Sequence, residues 1–196
     1  RIDFTDEKFD DFDQADLTGY IVSNEVQVWM VLEGDEAEVD AEIEILDADS
    51  RLDAMTVIDR AYPSTSNYGS LTSHVETDPR GEADAAMSAS NYRKTRIRLE
   101  FDESLSASER VAILDDYFDE FAGDGLGGVI IERPEDWFMP TIELEGADAD
   151  VAYWIDELTD DPNVASYAII DRVFPSSATL PELVYHIGSD ARESTN

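Results

Sequence analysis

Thr95, Ile97, Leu99 and Phe101 alternate with Lys94, Arg96, Arg98 and Glu100, a period of two that predicts a strand with one apolar and one charged face. Just beyond it, Ser106 and Glu109 have the spacing of a capping box. Val111, Leu114, Phe118 and Phe121 then recur along one side of a helix. The run GDGLGG (123–128) stops that helix, and VIIERP (129–134) returns as a strand. A similar order begins earlier. VQVWMVL (26–32) has strand composition and Gly34 ends it; Val39, Ile43 and Leu46 mark one face of an otherwise acidic helix. MTVIDRAY (55–62) then returns as a strand stopped by Pro63.

The same series occurs a second time at an offset of 112 residues. LEGDEAEVDAEIEILDADSRLDAMTVIDRAYPS from Leu32 aligns without a gap on LEGADADVAYWIDELTDDPNVASYAIIDRVFPS from Leu144. Thirteen of the 33 paired positions are identical, where chance gives about three, so the chain contains an internal duplication. The helix stripe repeats as Val151, Ile155 and Leu158, and the register continues to Leu71 on Leu183 and His74 on His186. The fold class expected is α+β, built from repeated βαβ units. The first two units in series spell βαββαβ, the ferredoxin-like arrangement. The division expected is an acidic N-terminal segment over 1–25, a ferredoxin-like domain over 26–134, and a second βαβ unit over 135–196. That last unit repeats 26–76, carries a C-terminal tail, and represents a second related half or whole domain.

Charge changes the picture of where such a fold works. Among 196 residues, 47 Asp and Glu face 13 Lys and Arg, a formal net charge of −34, and the only lysines are Lys8 and Lys94. By surface scaling this is one net negative charge per ~270 Å², a real self-repulsion in dilute buffer that short screening lengths relieve. The acid is spread along the whole chain rather than held in one tail. This resembles the composition of proteins from extreme halophiles such as haloarchaea, with hydrated salt cations as general partners. Nucleic acid is excluded as a partner, because phosphate binding needs clustered cations. The absence of cysteine excludes disulfides, thiol catalysis and Cys-ligated metal. No apolar run has the length of a membrane span and no signal-peptide pattern is visible within these residues. The opening Arg1 is read as the start of a processed product or of a piece cut from a longer protein.

Candidate chemistry is sparse. Asp59–Arg60 and Asp171–Arg172 are a dipeptide written twice at the end of a strand, either a charge pair fixing the turn or a ligand site built twice. Arg93, Lys94, Arg96 and Arg98 are four of the 13 cations within eight residues. Lys94, Arg96 and Arg98 share one strand face, which meets either acidic segments of the same chain or an anionic partner or ligand. His74 and His186 are read as inherited residues of a polar link after the strand. GDGLGG closes a helix rather than opening one, so it is a helix stop and not a phosphate loop. DFTDEKFDDFDQAD lacks the Gly and final Glu of a calcium loop. No catalytic, cofactor-binding or metal-ligating residue is assigned.

The segments VQVWMVLEGD, AMTVIDRAYPSTSNYGSLTSHV and MSASNYRKTRIRLEFDESLSASERVAILDDYFDEF resemble the porter subdomains of RND-superfamily exporters, including their archaeal MMPL-like relatives. The resemblance covers about residues 26–134 and, more loosely, 141–190, and rests on pattern rather than on an invariant motif. It implies a non-enzymatic extracytoplasmic domain, excised from between membrane spans of the same protein, that conveys substrate by subdomain motion at the outer face of the cell membrane. The competing expectation is a free-standing, cytoplasmic halophilic module for ligand sensing or assembly, for example a viral structural protein. Either one could be a homo-oligomer.

The charge density predicts salt-dependent folding. Circular dichroism is expected to show the fold lost below roughly 0.5 M KCl and recovered above about 2 M. A melting temperature unchanged between about 0.1 and 3 M contradicts the screening argument.

Overall fold

The computed structural model describes residues 2–23, 27–59, 61, 71–76, 91–132, 139–175 and 183–188. Along the chain lie helix α1 (Ile2–Gln14), strands β1 (Thr18–Ser23) and β2 (Val28–Glu33), helix α2 (Glu36–Asp47), and strands β3 (Leu71–Val75) and β4 (Tyr92–Phe101). Then follow helix α3 (Ala107–Gly123), strands β5 (Gly127–Glu132) and β6 (Thr141–Ala147), helix α4 (Asp148–Asp160), and strands β7 (Val164–Phe174) and β8 (Leu183–Ile187). The described residues form an α+β structure with two antiparallel sheets, ordered β2-β1-β8 and β3-β5-β6-β4-β7.

Local signals account for the larger sheet. The capping box forms: the Ser106 amide donates to Glu109 Oε2 at 2.8 Å, and the Glu109 amide donates to Ser106 Oγ at 3.3 Å. The alternation in β4 buries Thr95, Ile97, Leu99 and Phe101 and leaves Arg96, Arg98 and Glu100 exposed. Against that apolar face, α3 and α4 contribute Leu114, Phe121, Val151, Trp154 and Leu158. Phe121 meets the Trp154 ring edge-on at 5.0 Å, and Trp154 Nε1 donates to Asp124 at 2.8 Å. Full burial of each such aliphatic contributes about 1.5–3 kcal/mol. The buried face of α4 is Val151, Trp154 and Leu158, with Ile155 at its margin. In α2 the corresponding residues are Glu42 and Leu46, with Val39 and Ile43 at the margin. The expected stripe therefore lies slightly off the buried axis.

The sheets divide the chain differently from the expected boundaries. Strand β2 pairs with β1 rather than joining β4 and β5, so residues 26–134 do not make one sheet. The succession βαββαβ runs instead from β4 to β7, where β4 lies between β6 and β7. The unit at 141–174 thus completes this sheet. Residues 1–25 are more than an acidic segment: α1 and β1 supply Phe4, Phe9, Phe12, Leu17 and Ile21 to the second core. Of the returning strand expected at 55–62, residues 55–59 carry no regular structure and pair with no strand among the described residues, and Arg60 and Tyr62 lie outside the described residues.

The duplication is nevertheless visible in three dimensions, and it begins earlier than the sequence alignment. Leu17 donates its amide to Phe12 as Leu126 does to Phe121. Asp16 and Gly125 occupy the left-handed region at φ 54° and 69°. Gly19 faces Leu32 across the sheet as Gly128 faces Leu144. A Cβ at either glycine would lie 1.8 or 1.9 Å from a carbonyl oxygen of the neighbouring strand. The repeated Leu-Glu-Gly has a packing reason too, since Gly34 and Gly146 give room to the side chains of Leu17 and Leu126. The unit α1-β1-β2-α2 is therefore the counterpart of α3-β5-β6-α4. Their third strands are exchanged: β3, which follows the first copy, pairs with β5, and β8, which follows the second, pairs with β1.

Candidate functional site at the junction of the two sheets

In β3 and β8 the side chains alternate between a helix-covered core and the opposite face. Val75 enters one core, Tyr185 and Ile187 the other, which turns His74 and His186 toward each other where the sheets meet. Both histidines are buried, at 1% and 5% exposure. Their rings stack with centroids 6.2 Å apart and planes inclined by 27°, and Tyr20 lies 5.8 Å from the His74 ring. Neither ring nitrogen of His74 has a hydrogen-bond partner among the described residues. Neither histidine lies in a polar link after the strand: each stands within a strand, one residue from its end.

Glu145 on β6 anchors one side of the junction. Its carboxylate lies 2.7 Å from Lys94 Nζ and 3.1 Å from His186 Nε2. The His186 contact is off the hydrogen-bond line. Burial raises the Glu145 carboxyl, but His186 and Lys94 outweigh it and hold it down at about 2. The counterpart is Glu33, which stands 3.8 Å from His74 and is half exposed. A cavity of about 50 Å³ beside Glu145 is lined by Lys94, Gly128, Val184 and His186. No group of three or more metal-ligating side chains among the described residues is arranged to hold an ion.

The basic strand meets acid of the same chain. Arg93 grips Asp171 with two hydrogen bonds, 2.9 and 2.7 Å, and donates to Asp148 at 3.1 Å. The Arg93 hydrogen bonds hold the Asp171 carboxyl below its ordinary range, and Asp171 in turn raises the guanidinium. Lys94 pairs with Glu145, and Arg96 pairs with Glu143. Arg172 does not turn to Asp171 but lies over the Phe174 ring at 5.5 Å. Asp59 is exposed, and Arg60 lies outside the described residues. Arg96 and Arg98 also border an open concavity of about 520 Å³ on the helix-free face of the large sheet, with Ile131, Met139, Glu143 and Ile170.

Two stacked imidazoles beside a buried carboxylate can accept protons and can hold two lobes in register. The composition hid this site because histidines in apparently polar surroundings look like loop residues. The single sequence signal was that the 112-residue register still placed His74 on His186. No family model, curated protein or solved structure matches the chain. Among the described residues no helix is long and apolar enough to cross a membrane.

The Glu145 shift, from an ordinary 4.5 to about 2, is worth about 3 kcal/mol at neutral pH. A carboxyl depressed in the folded state stabilises above pH 4.5 and loses that contribution as pH falls toward 2. Glu145→Gln is expected to cost about 3 kcal/mol in denaturant titrations at pH 7, since it leaves Lys94 unpaired. The gap from wild type should hold down to about pH 4.5 and close below it. A gap that stays constant to about pH 3 contradicts the assignment.

Proposed function

We propose that the chain is a non-enzymatic, porter-like domain of a halophilic RND-type exporter, working at the extracytoplasmic face of the membrane. One observation carries this reading: two copies of an α-β-β-α unit, each closed by a strand that follows the other copy. Such a pair forms two lobes linked by crossing connections, a layout suited to rigid-body motion about a shared junction. The order of β4 to β7, with these strands arranged 4-1-3-2, supports reading them as a ferredoxin-like βαββαβ unit. This agrees with the fold implied by the resemblance to porter subdomains, although fold by itself assigns no activity. The open concavity bordered by Arg96, Arg98, Glu143 and Ile170 is the surface proposed to meet a passing substrate or a neighbouring subunit.

Fractionation of the source cells tests the proposal. An antibody against this domain is expected to detect a membrane-integrated polypeptide much longer than the 21.9 kDa of this chain. External protease should cleave it in intact cells. A cytosolic band near 22 kDa overturns the exporter reading in favour of a free-standing sensing or assembly module.

A further inference from the structure

The two copies differ by one strand. In the second, β4 runs between β6 and β7 and hydrogen-bonds to both. In the first, β2 pairs with β1 alone among the described residues. The chain leaves both helices by the same turn, Leu52 donating to Asp49 as Val164 donates to Asp161. Beyond that turn the second copy forms β7, whereas residues 54–59 form no ladder and Ile58 is 93% exposed.

The core records the same difference. Ile142, Leu144 and Val151, which β4 shields, are fully buried. Their counterparts Met30, Leu32 and Val39 are only partly covered. The acids that receive the cations of β4, namely Glu145, Asp148 and Asp171, correspond to Glu33, Glu36 and Asp59, all three exposed. An apolar sheet edge of this kind is a template for strand addition.

We propose that the first copy takes up one added β-strand between β2 and residues 54–59, of the same chemistry as β4. Apolar residues would alternate toward α1 and α2, and an Arg-Lys step would meet Asp59, Glu36 and Glu33. The duplication also names the donor. Since β4 runs directly into α3, the added strand belongs immediately ahead of α1 in the same polypeptide. A second copy of this chain fits less well, because β2 (VWMVLE) carries no cation and would leave the three acids unneutralised. The inference stands on the duplication and does not depend on the exporter reading.

A synthetic peptide with the sequence of residues 91–102 (NYRKTRIRLEFD) is the probe, added to the 196-residue chain in concentrated KCl. One-to-one binding is expected, with hydrogen-exchange protection gained at 28–33 and 54–59. Replacing its Arg-Lys step by Glu-Glu, or Asp59→Asn with Glu33→Gln in the protein, should weaken binding about tenfold or more. Fusing the same strand ahead of α1 through a five-residue link should raise Tm by about 5 °C or more. Fusing it after residue 196 should not. Three results overturn the proposal: no protection at 28–33, protection confined to other strands, or protection that arises without peptide in a concentration-dependent dimer. A gain from the C-terminal fusion equal to the N-terminal one overturns the choice of donor.

Discussion

Strand β8 hydrogen-bonds to β1 from Gly19–Ile187 to Ser23–Leu183, and β3 hydrogen-bonds to β5 from Leu71–Glu132 to Val75–Gly128. These reciprocal ladders are the constraint on which the rest of the structure depends. Each core receives residues from the strand that follows the other copy in sequence: Tyr185 and Ile187 in one, Val75 in the other. Neither copy can complete its sheet until the other is in place. The exchange also brings His74 and His186 face to face, since each must point away from the core that its neighbouring residues fill. The buried junction is thus a consequence of the topology.

Electrostatics works within that frame under an unusual shortage of cations. With 13 Lys and Arg against 47 acids, several cations act as staples. Lys8 is buried against Asp11 of its own helix at 2.6 Å. Arg51 ties Glu7 of α1 to Asp49 beyond α2 while lying over the Phe4 ring. Arg93 and Lys94 hold β4 to the start of α4, to β7 and to β6. Much of the remaining acid is exposed to solvent and salt, which is why the charge that hinders the fold in dilute buffer coexists with well-formed local pairs.

Periodicity revealed local structure and missed pairing, for physical reasons. The alternation in 94–101, the Ser106–Glu109 box and the helix stripes are short-range signals, and they mark β4, α3, α2 and α4. Which strand lies beside which depends on contacts distant in sequence, so the repeat could be seen while its sheet could not. The segment VIDR at 57–60 differs from IIDR at 169–172 only by Val57 in place of Ile169. The second copy makes it a strand only because β4 lies beside it. The acid of residues 1–25 hid Phe4, Phe9 and Phe12, whose spacing on α1 turns all three inward. At the candidate site, the basic residues of β4 were legible as a cluster, but their acid partners were not. The histidines were legible only as a register match.

The central claim is that β8 belongs structurally to the first copy although it follows the second. Hydrogen exchange on a chain ending at residue 182 tests this most directly. Loss of β8 is predicted to strip protection from α1, β1 and β2, about 160 residues away in sequence, while β4, β5, β6 and β7 keep theirs. Protection lost from β5, β6 and β7 instead, with β1 and β2 unchanged, would contradict the exchange.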